Sequence, residues 1–219
     1  ENADVIISYA EVDNEPLRPG EYGWISQLQH NLKVRVEQIS GKEFKISRLS
    51  GKAFESLTAT REMRRFLSEA RAVVPVISPS FTNSTGCQKQ VEALYSTMGS
   101  ASQPRSVNQI GSRFVNAIKM PALHEGLPDT MTSVLNGCQG LEFFEREPAT
   151  GRAREFHESF GEDSRQRYYE RVYDLAYEVC EMVKSNGGSS SSETRGDRDT
   201  RQKIFLAPTT SDLTKEYET

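Results

Sequence analysis

The segment "RAVVPVISPSFTNSTGCQKQVEAL" (Arg71–Leu94) contains the most hydrophobic run of the chain and decides the fold. Its first eight residues, Arg71–Ser78, are mostly apolar and β-branched, which predicts a buried central strand. Pro75 is unusual there because a proline cannot donate a hydrogen bond to a strand ladder. We therefore expect Pro75 at a bulge or at a position where its N–H would be unpaired.

The second half of the segment predicts a loop followed by a helix. Pro79 disfavours continuation of the strand into a helix, and Ser84 or Thr85 is suited to cap a helix that starts after it. Apolar residues then recur at helical spacing and form one inner stripe. The stripe consists of Val91, Leu94, Tyr95 and Met98.

Further strands and helices alternate on both sides of this segment. Four more short apolar runs predict strands: "DVIISYA" (4–10), "EFKIS" (43–47), "RFVNAIKMPA" (113–122) and "CQGLEFF" (138–144). Helical patterns lie at 24–40, 55–70 and 164–184, and Gly41 ends the first of them. This alternation predicts an α/β fold, a flavodoxin-like parallel five-stranded sheet with helices on both faces.

Composition limits the classes of partner. The 219 residues carry a formal net charge of −4, so no overall field favours nucleic acid or an anionic membrane. No apolar run reaches the ~18 residues that a membrane span needs. Three widely spaced cysteines predict neither a disulfide framework nor a metal site, and they favour a reducing cytoplasm.

The composition changes after about residue 186. "NGGSSSSETRGDRDTR" is polar and small, which is typical of a flexible linker, here placed at 187–201. "QKIFLAPTTSDLTKEYET" then resumes an apolar run followed by a cap and helix-compatible residues. We expect a domain at 1–186 and the first element of a second α/β module at 202–219.

The order of several motifs resembles the TIR domain family over roughly 4–184. A first strand ends in Ser8 and Tyr9, and Gly51 with Phe54 follows the second strand. "SPSFTNSTGC" resembles the family's Ser-Pro-Ser-aromatic motif that leads into the third helix. The sequence is most similar to bacterial TIR-like proteins, including the FxsC type. The resemblance implies the TIR fold, with NAD as a substrate and no bound cofactor.

Many TIR domains cleave the nicotinamide–ribose bond of NAD. A carboxylate near the ribose stabilises the oxocarbenium-like transition state. The family's glutamate lies three residues after the cysteine, which places Gln90 at its position in this chain. Gln90 keeps the shape but lacks the charge. Glu92 lies about 200° around the helix, so it serves only if the helix start shifts by two residues.

Three explanations of Gln90 stay open: a naturally non-catalytic domain, substitution by Glu92, or an engineered replacement that keeps substrate bound. The resemblance implies further residues around the nucleotide. These are Ser8, Tyr9, Arg48, Phe54, Ser78 and Cys87.

The leading expectation is a TIR domain that binds NAD and, with a glutamate at position 90, cleaves it to nicotinamide and an ADP-ribose product. The resemblance implies bacterial defence or signalling, and activation by self-association through TIR–TIR contacts. The alternative is a non-catalytic interaction module that passes a signal to the following domain.

Overall fold

The structure is a computed structural model that describes residues 3–55, 68–97, 113–122 and 127–186. All of them belong to the unit Glu1–Ser189. The linker expected at 187–201, the second module expected at 202–219 and most of the helix expected at 55–70 lie outside the described residues. These three assignments stay predictions.

A five-stranded, all-parallel sheet forms the centre and confirms the predicted α/β, flavodoxin-like class. Its strands run in the spatial order β2-β1-β3-β4-β5. They are β1 (Val5–Tyr9), β2 (Ile46–Ser50), β3 (Ala72–Ile77), β4 (Val115–Ile118) and β5 (Gln139–Glu142). Because β1 and β3 are neighbours while their connections leave in opposite directions, the carboxyl ends of these two strands mark the topological switch point.

Strand β2 begins later than the predicted range 43–47. The N–H groups of the residues just before it bond to side chains: the Phe44 N–H donates to the Glu37 carboxylate at 3.0 Å, and the Lys45 N–H donates to the Asp4 carboxylate at 2.9 Å. The Lys45 carbonyl oxygen still accepts from the Val5 N–H of β1 at 3.2 Å. The strand therefore starts at Ile46 and extends to Ser50, beyond the predicted end at residue 47.

Pro75 lies where the pairing of β3 with β4 is interrupted. Val73 pairs with Phe114, and the ladder resumes when Val76 pairs with Ala117. On the other side Pro75 pairs in register with Ser8 of β1. The missing N–H thus falls at a gap in the ladder, as the sequence predicted.

Helices cover both faces of the sheet. They are α1 (Trp24–Ser40), α2 (Lys52–Glu55), α3 (Pro79–Asn83), α4 (Thr85–Thr97), α5 (Asp129–Gly137) and α6 (Glu162–Asn186), with a 3-10 turn at Glu11–Asn14. Alternate residues of β1 supply two separate cores. Val5 and Ile7 pack with α1 and α6, whereas Ile6 packs with α4 and α5.

The stretch from about Arg146 to Asp163 is charged in sequence and predicts an irregular region. That prediction was wrong for part of it, because two short strands form here. Strands β6 (Phe144–Arg146) and β7 (Ala153–Glu155) form an antiparallel pair. Phe144 and Phe156 are buried at this hairpin. The charged residues beside them give the sequence no alternating apolar pattern. Among the helices of the described ranges, none combines the length and hydropathy needed to cross a membrane.

Candidate functional site

The Gln90 side chain is fully buried at the carboxyl edge of the sheet, with 0% of its surface exposed. Its Oε1 accepts a hydrogen bond from the Ser8 hydroxyl at 2.8 Å. Its Nε2 donates to the Leu49 carbonyl oxygen at 3.0 Å. The amide of α4 thereby links the ends of β1 and β2.

The Leu49 carbonyl fixes the orientation of this amide. A carbonyl oxygen can only accept, so the nitrogen of Gln90 must face it, and the amide oxygen is left for the Ser8 hydroxyl. A carboxylate of the same shape would place a second acceptor 3.0 Å from the Leu49 oxygen. The position is therefore complementary to an amide or to a protonated acid.

The Tyr9 carbonyl oxygen joins the start of the segment after β2 to α4. It accepts from the Gly51 N–H at 2.9 Å and from the Cys87 thiol at 3.5 Å. Ser84 caps α4, because its hydroxyl accepts from the Cys87 N–H at 3.2 Å. Burial, and secondarily the Glu11 carboxylate, raise the pKa of the Tyr9 phenol, while Arg48 lowers it.

Gly51 has no room for a side chain. A methyl group at this position would lie 2.3 Å from the Cys87 sulfur and 2.9 Å from the Cys87 backbone nitrogen. The close approach explains why a glycine precedes the aromatic residue here. It leaves Cys87 fully buried as a packing residue.

Gly51→Ala is expected to lower the free energy of unfolding by about 1–3 kcal/mol, because backbone or sulfur must shift. Cys87→Ala removes the contact with the sulfur but not the contact with the backbone nitrogen. Urea unfolding of the native protein, the two single variants and the double variant should therefore show that Gly51→Ala costs less stability when Cys87 is also replaced. Gly140→Ala is the matched control: its methyl meets the flexible end of Ile118 at 2.8 Å and should cost less. Equal losses for both glycines would contradict the packing argument.

Two of the predicted nucleotide contacts are engaged by other parts of the protein. Arg48 is exposed and donates from a guanidinium nitrogen to the Ser26 hydroxyl at 2.6 Å. Phe54 is 1% exposed and belongs to the core that includes Cys87 and Val91. Its ring face is covered by protein.

Glu92, the residue of the alternative register, is exposed on the outer side of α4. It lines a shallow depression of about 310 Å³ with Gln88 and Lys89 on one side and Pro128–Thr130 on the other. The helix places Gln90 and Glu92 on different faces, as the 100° turn per residue requires.

Ser78 lies in a buried polar network at the switch point. Its hydroxyl donates to the Asp13 carboxylate at 2.5 Å and accepts from the Phe81 N–H at 3.0 Å. The Lys119 ammonium pairs with Asp13 at 3.4 Å and with Glu155 at 3.1 Å. This bridge ties the ends of β1, β3 and β4 to the hairpin.

Sequence reasoning missed Asp13, Lys119 and Glu155 as members of this network. Asp13 and Glu155 lie in charged stretches whose pattern resembles ordinary solvated surface, and Lys119 lies within the apolar run predicted as a strand at 113–122. A sequence signal existed for Asp13, which lies shortly after the first predicted strand, because the carboxyl ends of parallel strands meet at one edge.

A cavity of about 690 Å³ lies next to this network, between the hairpin and the start of α6. None of the residues predicted from the sequence lines it. Its walls combine aromatic and charged side chains: Met120, Glu145, Ala153, Arg154, Glu155, Phe156, Phe160, Asp163 and Ser164.

Cys87, Cys138 and Cys180 form no disulfide bond within the described residues. Burial raises the pKa of Cys138 to about 11 and raises that of Cys180. Within residues 3–55, 68–97, 113–122 and 127–186, no three His, Cys, Asp or Glu side chains are grouped so that they could hold a metal ion. No protein-family model and no curated protein matches this chain.

Proposed function

We propose that this chain is a TIR-type module that acts through self-association and protein contacts, with position 90 serving the fold and not a reaction. The observation that carries this proposal is the Gln90 amide. It is fully buried, and both its oxygen and its nitrogen are bonded to the protein, at 2.8 Å to Ser8 and 3.0 Å to Leu49. A ligand would have to displace both bonds.

The hydrogen bonds of Gln90 to Ser8 and Leu49 also support glutamine as the residue that this fold requires at position 90. A buried donor and a buried acceptor are each satisfied by one end of the amide, and leaving either unmade would cost about 1–3 kcal/mol. In this proposal the module works in the bacterial cytoplasm, in defence or signalling, and passes an assembly signal to the segment that follows it.

The test is an assay of nicotinamide release from NAD at high protein concentration. We expect no release from the native protein or from Gln90→Glu. Glu92→Gln is the matched control for the alternative register and should also change nothing. Release from Gln90→Glu alone would contradict the proposal and identify position 90 as a blocked catalytic site.

The second candidate is NAD binding, with cleavage when position 90 is a glutamate. The observation that favours it is the convergence of Ser8, Tyr9, Cys87 and Gln90 at one sheet edge. In this candidate the residue at position 90 turns toward the ribose, where a carboxylate would stabilise the developing positive charge as nicotinamide leaves.

Calorimetric titration separates the two candidates without requiring turnover. If the second candidate is correct, the native protein binds NAD, and Ser8→Ala weakens that binding because the hydroxyl lies beside the amide. Absence of heat with millimolar NAD, together with absence of nicotinamide release from Gln90→Glu, leaves the assembly module.

A further inference from the structure

The cavity of about 690 Å³ beside the hairpin is separate from the region around position 90. Ser8, Leu49 and Gln90 are not among the residues that line it. Met120 forms part of its wall and follows the end of β4 by two residues, which places the cavity at the carboxyl edge of the sheet. This edge is where open α/β folds bind ligands, and cavities of about 300–1,000 Å³ have the size that small molecules need.

The cavity wall combines aromatic rings with carboxylates. Phe156 is 5% exposed, whereas Phe160 is 49% exposed and is held in place by His157, with ring centres 4.9 Å apart. Asp163 contributes an exposed carboxylate and Glu155 a partly buried one. A ring face is electron-rich and attracts a cation, so a ring and a carboxylate together are suited to an organic cation.

Arg167 shows that this wall already holds a cation. Its guanidinium pairs with the Glu145 carboxylate and lies 5.8 Å from the centre of the Phe156 ring. Both of these partners line the cavity. Asp163 and Phe160 supply the same two chemical groups at the exposed part of the wall.

Negative charge is in excess beside the cavity. The Lys119 ammonium serves two carboxylates, Asp13 at 3.4 Å and Glu155 at 3.1 Å. One positive charge therefore faces two negative charges in this network, and the Asp163 carboxylate adds a third. A cationic ligand gains from this arrangement, because opposite charges attract more strongly in a partly buried site than in bulk water.

The positive groups of the wall do not favour an anion. Arg154 lines the cavity, but it is 70% exposed and its guanidinium pairs with Glu147 at 3.3 Å. The start of α6 carries the positive end of a helix dipole. Its first turn already contains Glu162 and Asp163, which complement that dipole and repel a further negative charge.

We propose that this cavity binds a small organic cation, an amine or amidine on a flat apolar body. Asp163 pairs with the cationic group, and the rings of Phe156 and Phe160 contact the apolar body. The site goes beyond the proposed assembly function and uses no contact of Gln90.

Benzamidine and benzamide are the probes, because the two molecules share one shape and only benzamidine is positively charged at neutral pH. Saturation-transfer NMR titration of the full chain should show benzamidine binding, with benzamide and the anion benzoate binding at least about ten-fold more weakly. Equal binding of the three compounds would overturn the proposal. Absence of benzamidine binding at about 10 mM would overturn it as well.

Asp163→Asn tests the cationic contact. This variant should weaken benzamidine binding about five-fold or more and leave the weak binding of benzamide unchanged, because only the charge of the side chain is lost. Glu162→Gln is the matched control: the preceding side chain is 75% exposed, and Glu162 does not line the cavity. Equal weakening in the two variants, or no weakening in Asp163→Asn, would overturn the assignment.

Phe160→Leu tests the aromatic contact and should also weaken benzamidine binding, because a leucine has no ring face. Tyr177→Leu is its control, since Tyr177 is 53% exposed on α6 and lies outside the cavity. Ser8→Ala should leave binding unchanged. Weakening by Ser8→Ala but by neither cavity variant would place the probe beside Gln90 and overturn the site. None of these readouts uses NAD or self-association, so failure of this site leaves the proposed function standing.

Discussion

Gln90→Glu is expected to lower the free energy of unfolding by about 3 kcal/mol at pH 7.5 and by much less at pH 4. The introduced carboxyl is fully buried, and one of its oxygens faces the Leu49 carbonyl. Burial and this second acceptor raise its pKa above the value of about 4.3 of an unfolded glutamate. Each pKa unit of this rise corresponds to about 1.4 kcal/mol of stability lost above the folded pKa.

The sign of the pH dependence follows from that shift. Below about pH 4 the acid is protonated in both states and can donate to Leu49, so the loss is small. As the pH rises through the unfolded pKa, only the unfolded chain releases its proton, and the loss grows until the pH passes the folded pKa. Urea unfolding at several pH values measures this.

Gln90→Met is the control for shape. It removes both hydrogen bonds without introducing a titrating group, so its loss of stability should not depend on pH in this range. If Gln90→Glu instead matches the native protein at pH 7.5, position 90 accommodates a charge, and the structural role of the amide is wrong.

Trp24→Ala is expected to cost about 3–5 kcal/mol, as large-to-small changes of aromatic core residues do. Trp24 is 3% exposed at the start of α1. Its indole N–H donates to the Phe156 carbonyl at 3.1 Å, and its ring meets Phe143 and Tyr168 edge-on at centroid distances of 5.4 and 6.1 Å. One side chain thus joins α1, the hairpin region and α6.

Trp24→Phe separates packing from hydrogen bonding. It keeps an aromatic ring but leaves the Phe156 carbonyl without its donor, and should cost about 1–3 kcal/mol. Circular dichroism in urea is the appropriate measurement because the chain has one tryptophan and both variants remove it. A loss below 1 kcal/mol for Trp24→Ala would show that the three elements are held together by other contacts.

The fold was predictable because its signals are local. The central strands β1 and β3 come from apolar runs and are buried along their whole length. The apolar stripes of α1 and α6 each bury one face, which includes Leu28, Val36 and Leu175. The start of β2 was misplaced because the side chains of Asp4 and Glu37, distant in sequence, hold Lys45 and Phe44. The hairpin was missed because backbone pairing, and not an apolar pattern, holds its charged residues.

The candidate site was predictable only in part. Position 90 follows from helical periodicity, so its inward direction could be predicted. The sequence could not predict that Ser8 and Leu49 hydrogen-bond both ends of the Gln90 amide, because these contacts join three separate elements. The bridge from Asp13 through Lys119 to Glu155 was missed for the same reason, because it joins three elements that are distant in sequence.

The enclosure of the Cys87 thiol between Gly51 and the Tyr9 carbonyl makes this sulfur a reporter of motion. An alkylating reagent can reach it only when the edge of the sheet opens, so its labelling rate measures how often that edge opens. Cys138 reacts slowly for a different reason, since its raised pKa leaves little thiolate at neutral pH. The Cys87 thiol of the native chain is therefore a probe of local opening at the end of β1.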